Sequence, residues 1–141
     1  MELLKNGAKA TLKMLGLKSG SKKENNEYTY FKDKTTFERR KMECIKVLSK
    51  NPNKLPLIIE PEEGCNVPII TKSKILITNK VTVGQMLLVL KEKMNLGLEK
   101  SLIIKCNGSI VPSNRKLLEL YDESKEDDGF LYLRYCEATY G

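Results

Sequence analysis

An α+β fold, with one long helix lying across a mixed β-sheet, is the class this sequence predicts, on three observations. Short apolar segments at 55–60, 74–78, 101–106 and 130–135, several rich in β-branched residues, read as four strands. Two longer segments, 35–50 and 82–97, carry helical signals behind N-terminal capping residues. After the first helix the order is strand, strand, long helix, strand, short helix, strand, which is the order of a β-grasp domain.

The elements follow in chain order. "TTFE" reads as a capping box, with the Thr35 hydroxyl accepting from first-turn amides and Glu38 reaching back, and the helix stops at Asn51 and Pro52. The strand at 55–60 tolerates Pro56 near its start, where a missing amide donor matters least. Residues 74–78 form a second strand. Thr82 and Gln85 open the long helix, with Val83, Met86, Leu87, Leu90 and Met94 at helical spacing and a stop near Asn95 to Gly97. A third strand, 101–106, leads into the turn Asn107-Gly108; a short helix at 113–121 and a last strand at 130–135 complete the domain.

At 141 residues the chain is long enough for one domain with a core and too short for two ordinary ones. It is 40% hydrophobic and 30% charged, a soluble balance, and no run approaches the roughly 18 apolar residues that span a bilayer. The net charge of +7 suits nucleic acid, an anionic membrane or an acidic peptide alike. No aromatic stacking platform interleaves with the basic residues, so nucleic acid is not expected. Cys44, Cys65, Cys106 and Cys136 lie far apart, without a C-x-x-C pair, and the chain has no histidine. The simplest account is reduced cysteines in the cytosol, with no zinc site and no disulfide. Without histidine a triad hydrolase is excluded. Asp122, Glu123, Glu126, Asp127 and Asp128 lack the ligand periodicity of an EF-hand loop and read as a solvated turn, so no metal or other cofactor is expected.

Residues 1–27 stand apart as a basic extension, ending in the polar linker "SGSKKENNE", ahead of a domain at 28–141 whose tail begins at 136. The first 23 residues hold six lysines and one glutamate. Wound as a helix, Leu3, Leu4, Ala8, Ala10, Leu12, Met14, Leu15 and Leu17 fill one broad face and Lys5, Lys9 and Lys13 the other. That segregation fits a helix in a membrane surface, with Leu4, Leu12 and Leu15 inserted and the lysines drawn to anionic lipid. A disordered basic tail and a helix packed on the chain's own domain are the alternatives. The chain closes on "FLYLRYCEATYG". Its final glycine is either incidental or a reaction centre, since no side chain hinders attack on its carboxylate and its backbone threads a narrow channel.

Four blocks carry a resemblance: "YFKDKTTFERRKMECIKVLSKNPNKLPLIIE", "KSKILITNKVTVGQMLLVLKEKMNL", "EDDGFLYLRY" and the terminal "YG". In order and spacing, over about residues 30–141, they resemble the autophagy-related protein 8 family, which includes GABARAP. The resemblance implies a ubiquitin-like domain with two extra N-terminal helices and no enzymatic activity. It implies a modifier whose terminal glycine, here Gly141, is passed by activating and conjugating enzymes to phosphatidylethanolamine, with a cysteine protease that processes and deconjugates it. The implied location is the cytoplasm and, through the lipid, the autophagosome membrane.

The resemblance also implies docking of cargo receptors through a short aromatic-x-x-aliphatic motif that adds to the edge of the second strand. The implied aromatic pocket uses Glu43, Val47, Pro56, Lys74, Leu76 and Phe130; the aliphatic pocket uses Ile75, Ile77, Val81, Met86 and Val89. Lys72 and Lys74, with Lys54 and Lys93, would attract acidic residues flanking the motif. Read without the resemblance, Val47, Leu76, Met86 and Val89 are core positions and the lysines a solvated face. Thr78 replaces the family's common proline, Met86 its common phenylalanine, Ser73 interrupts a usual run of three lysines, and the tail is about one residue short. Conjugation to a protein lysine, as in the autophagy-related protein 12 family, and a non-conjugated, membrane-associated peptide-binding module are the alternative functions.

Overall fold

The computed structural model describes residues 21–22, 28–97 and 99–138. Gly141 and the amphipathic segment assigned to membrane contact lie outside these. Eleven elements follow in order among the described residues: β1 (Ser21–Lys22), α1 (Phe31–Lys34), α2 (Phe37–Lys50), β2 (Lys54–Pro61), β3 (Ile69–Ile70), β4 (Lys74–Thr78), α3 (Val83–Met94), β5 (Leu102–Cys106), β6 (Ser109–Val111), α4 (Leu117–Ser124) and β7 (Leu131–Glu137).

The main sheet has the order β4-β2-β7-β5-β6, five strands where four were expected. The added strand, β6, pairs back on β5 through Asn107 and Gly108, whose φ values of 52° and 83° are the left-handed pair that a tight hairpin turn requires. In the centre β2 and β7 run parallel, from Leu57 opposite Leu131 to Pro61 opposite Tyr135; the other pairs are antiparallel. A second, two-residue ladder joins Ser21 and Lys22 to Ile70 and Ile69, so part of the segment expected to be a free linker pairs with the domain.

Strict alternation sends successive side chains to opposite faces of the sheet. Leu55, Leu57 and Ile59 of β2, Ile75 and Ile77 of β4, Leu102, Ile104 and Cys106 of β5, and Leu131, Leu133 and Tyr135 of β7 face α3 and α4, forming the larger core. On the opposite face Ile58, with Phe130 and Tyr132, packs under Phe31 of α1 and Cys44 and Leu48 of α2. The result is three layers, helices on both faces of one sheet.

Local chemistry sets the helix boundaries. Thr82 caps α3, accepting from the Gln85 amide at 3.3 Å while Gln85 Oε1 accepts from the Thr82 amide at 2.9 Å, the reciprocal box expected. Asn95 ends that helix in the left-handed region, φ 60°. The cap of α2 differs: Thr36, not Thr35, accepts from the Arg39 amide at 3.3 Å, because two adjacent threonines offer two start points. The short helix also begins later than expected, at Leu117, after Arg115 N–H closes a turn on the Pro112 carbonyl. Strand β7 extends two residues past Tyr135, into the segment expected to be tail, since β5 continues to pair with it.

Candidate functional site

One edge of the main sheet is β4, which pairs with β2 alone; the other is the three-residue β6. Which of its backbone groups face outward follows from the register. Ile59 N–H donates to the Ser73 carbonyl and Asn79 N–H to that of Asn53, so residues 73, 75, 77 and 79 turn their backbone groups toward β2. The groups of Lys74 and Leu76 therefore point to the open edge. Their side chains, by the same alternation, lie on the α2 face beside Pro56, which is directly opposite Leu76. Pro56 sits one residue ahead of the first β2–β7 pair, so its missing N–H removes no ladder bond.

Leu76, Pro56 and Phe130 are buried on this face, and Glu43 and Val47, one turn apart on α2, are half-buried above them. Of the six residues expected to form an aromatic pocket, Pro56 and Leu76 are a cross-strand pair, Phe130 packs with Phe31, Cys44 and Ile58 on the same face, and Glu43 and Lys74 meet between α2 and β4. An ion pair between Lys74 and Glu43 links the two elements, and the Lys74 ammonium lies 5.8 Å from the centre of the Phe31 ring. Lys74 is therefore not simply a solvated charge: an acidic ligand must compete with Glu43 for it. Lys72 is exposed; Lys54 and Lys93 are half-buried.

The expected aliphatic residues behave differently. Ile75, Ile77, Val81, Met86 and Val89 lie on the other face, within the larger core, and none is more than 5% exposed. They meet as core side chains under α3, which is the packing role their sequence spacing allows without any ligand. A side chain entering between them has to displace Met86, whose unbranched thioether moves more readily than a ring.

Two buried carboxylates that the sequence did not single out hold this architecture. Glu60, 2% exposed, accepts from the Phe31 amide at 2.7 Å and the Tyr28 hydroxyl at 3.0 Å, fixing α1 on the sheet. Burial, then the Glu60 charge, pushes the Tyr28 hydroxyl's pKa well up. Asp128, also 2% exposed, accepts from Arg40 Nε and from the Phe130 amide, each at 2.9 Å, and from the Tyr132 hydroxyl. The acidic turn is thus not uniformly solvated: Asp128 is an anchor, while Glu126 pairs with Lys32 and Glu123 with Arg115. No group of residues suited to hold a metal ion occurs among the described residues. At Gly129, φ 97°, an added Cβ would lie 2.6 Å from Cys44 Sγ, so "DGF" requires glycine for α2 to seat. Burial raises the Cys44 thiol to about 11.

The cysteines correct a further expectation. Cys65 and Cys136 form a disulfide with Cα atoms 5.7 Å apart, because the loop after β2 folds back over the end of β7. Cys44 and Cys106 are free and buried.

A β-grasp sheet with two additional N-terminal helices over its second face defines a ubiquitin-like protein. The family described as "Autophagy protein Atg8 ubiquitin like" matches residues 39–141. Autophagy-related protein 8e of Arabidopsis thaliana is 35% identical over 117 residues, covering 82% of this chain and 96% of that one. Autophagy-related protein 8 of Pichia angusta is 37% identical over 112 residues, 79% of this chain and 90% of that one. The crystal structure of Trypanosoma brucei ATG8 superposes with a TM-score of 0.75 at 32% identity, covering 82% of this chain and all of that one. The chain belongs to the Atg8 family of autophagy-related, ubiquitin-like proteins.

Proposed function

We propose that this protein is a modifier rather than an enzyme, conjugated through Gly141 to phosphatidylethanolamine on autophagosomal membranes, and that β4 docks short aromatic-x-x-aliphatic motifs of cargo receptors. The observation that carries the docking half is the open edge of β4. Lys74 and Leu76 turn backbone donors and acceptors outward, directly beside the aromatic set and basic side chains, which suits an extended acidic-flanked peptide. The conjugation half is supported by the family match, which runs through Gly141. An unhindered glycyl carboxylate suits sequential acyl transfer between the thiolates of an activating and a conjugating enzyme, and hydrolysis by a cysteine protease. No described helix is long and apolar enough to cross a membrane, so attachment is assigned to the lipid and to residues 1–18, with Lys5, Lys9 and Lys13 toward anionic headgroups.

The test is the intact mass of the protein recovered from membranes of starved cells, beside Gly141→Ala. A gain equal to phosphatidylethanolamine less one water, absent from the variant, supports the reading. A mass gain on a protein partner instead points to lysine conjugation. An unmodified membrane-bound pool overturns conjugation and leaves residues 1–27 as the anchor of a docking module.

A further inference from the structure

The four cysteines fall into two kinds. Cys44 and Cys106 are 1% and 7% exposed, and burial raises both thiols. Cys65 and Cys136 are half-exposed, within reach of a small thiol, and joined across 71 residues of sequence.

Their bond sits where β7 loses a neighbour. Pairing with β2 ends at Pro61 opposite Tyr135, and beyond it Glu62 N–H still donates to the Tyr135 carbonyl at 2.8 Å. Pairing with β5 continues: Ile103 lies opposite Cys136, Leu102 opposite Glu137, and Ala138 N–H donates to the Ser101 carbonyl at 2.8 Å. Cys136 is thus the first residue of β7 flanked by a strand on one side only, and the disulfide ties it to the loop that follows β2. The loop that carries Cys65 turns at Gly64, φ 83°, and is held independently at its far end, where the Tyr135 hydroxyl donates to the Pro68 carbonyl at 3.2 Å and accepts from the Ile70 amide at 3.3 Å. Tyr135 itself is fully buried. Breaking the bond therefore leaves the loop's ends and Tyr135 anchored, and leaves Cys136 held to the sheet by the end of the β5 ladder alone.

We propose that Cys65–Cys136 is a reversible thiol–disulfide site whose state sets whether the segment from Cys136 onward separates from β5. A monothiol of the glutathione class supplies the electrons. Its thiolate attacks one sulfur, forming a mixed disulfide and expelling the other cysteine as thiolate, which takes up a proton. A second monothiol then releases the first cysteine, leaving two cysteine thiols and one small-molecule disulfide, a two-electron, two-proton exchange. The reverse, with a small-molecule disulfide as oxidant, restores the bond. Disulfides of cytosolic proteins are mostly transient or redox-sensing, which matches a half-exposed pair at a strand end.

The consequence rests on the reading of Gly141 as an acyl donor. Oxidised, five residues separate the staple from the carboxylate; reduced, the strand frays back to Tyr135 and the amides of Cys136 and Ala138 leave β5 together. The freed segment spans about 20 Å when extended, at roughly 3.3 Å per residue. A partner enzyme that must draw in the tail finds the reduced form the better substrate.

Hydrogen exchange on the full chain, oxidised and after glutathione treatment, tests the site. By the alternation that pairs Ala138 with Ser101, the Cys136 amide also bonds β5. At exchange times too short for global opening, the expected result is protection at Cys136 and Ala138 lower by about tenfold on reduction, with Ile58 and Leu133 still unexchanged in both states. Cys65→Ser reproduces the reduced pattern without reductant, and Cys106→Ser does not. Equal protection in both states overturns the proposal, as does failure of reduced protein to regain the bond with glutathione disulfide, read as four alkylated cysteines by mass. Thioester formation on a purified activating enzyme is a second readout, expected several-fold faster for the reduced form. Equal rates overturn the coupling to acyl transfer. No thioester in either state removes the acyl-donor reading and leaves the exchange data to decide the site.

Discussion

Asp128→Ala is the substitution that most directly tests how α2 is held over the sheet. Its carboxylate, 2% exposed, joins three donors: Arg40 of α2, the Phe130 amide and the Tyr132 hydroxyl. Truncation leaves the buried Phe130 amide without its partner, at about 1–3 kcal/mol, and removes a charge-assisted bond from Arg40, worth about 1.5–3 kcal/mol. Arg40 keeps its bond to the Thr35 carbonyl at 2.9 Å, which limits the loss. A total of about 3–5 kcal/mol agrees with the usual cost of breaking one side of a buried pair. For a domain of this size that lowers Tm by about 10 °C. Asp128→Asn, which retains an acceptor for Phe130, should lose about half as much. The assay is urea unfolding of both variants, alone and combined with Arg40→Met, giving a coupling energy between the two positions. Arg40 and Asp128 side chains are 12% and 1% exposed, so the coupling should survive a rise in salt that abolishes any between Lys32 and Glu126, at 44% and 36%. A loss below about 1 kcal/mol, or no coupling with Arg40, would refute the claim that this network seats α2.

Other outcomes follow from the same structure. Lys74→Glu should weaken an acidic-flanked peptide more at low salt than at high, whereas Glu43→Gln, which frees Lys74, should tighten it about twofold; isothermal titration at two salt concentrations reads both. Reduction, or Cys65→Ser, removes a cross-link over 71 residues, worth up to about 4 kcal/mol in the chain-entropy account, so Tm in a calorimeter should fall by about 10–15 °C. Burial raises Tyr121 and Tyr135 to about 12, above the 10.0 of an unfolded tyrosine, so stability is full below pH 10 and is lost as pH rises from 10 toward 12. Tyrosine ionisation followed by absorbance should then coincide with loss of the helical circular dichroism signal; ionisation well before unfolding would contradict the burial. Thr82→Ala, which breaks the α3 capping box, should cost about 1 kcal/mol in urea unfolding.

What the sequence discloses here is what local chemistry decides. The box from Thr82 to Gln85, the left-handed stop at Asn95 and the turn at Asn107-Gly108 are each complete within four residues, and the structure contains all three. Strands β3 and β6 are two and three residues long and exist only through a partner, so no window of sequence signals them. Asp128 looks like one more residue of an acidic turn because Arg40 lies 88 positions away. Cys65 and Cys136 show no metal-like or paired spacing; only the meeting of a loop with the last turns of β7 brings them together. The docking set rests on family resemblance; strand parity decides only the face on which each strand member is buried, Leu76 toward α2 and Ile75 and Ile77 into the main core.

That parity governs what the edge can do. Residues 74 and 76 turn their backbone outward and their side chains toward α2; residues 75 and 77 turn their backbone to β2 and their side chains into the main core. In the proposed docking, a peptide strand laid along β4 would bond at residues 74 and 76 without breaking the β2–β4 ladder, while its aromatic side chain would meet Pro56, Leu76 and Phe130, which are already buried. The motif's aliphatic residue, three positions beyond the aromatic one, would meet a core already closed over Met86 and Val89. Opening that core exposes side chains whose burial stabilises α3, so the second contact is weaker than its apolar area suggests, by whatever repacking costs. Methionine at position 86 lowers that cost, since its three rotatable bonds let the side chain withdraw while α3 stays in place. Met86→Phe should thus stiffen the site, leaving aromatic-only peptides unaffected and selectively weakening those that depend on the aliphatic anchor.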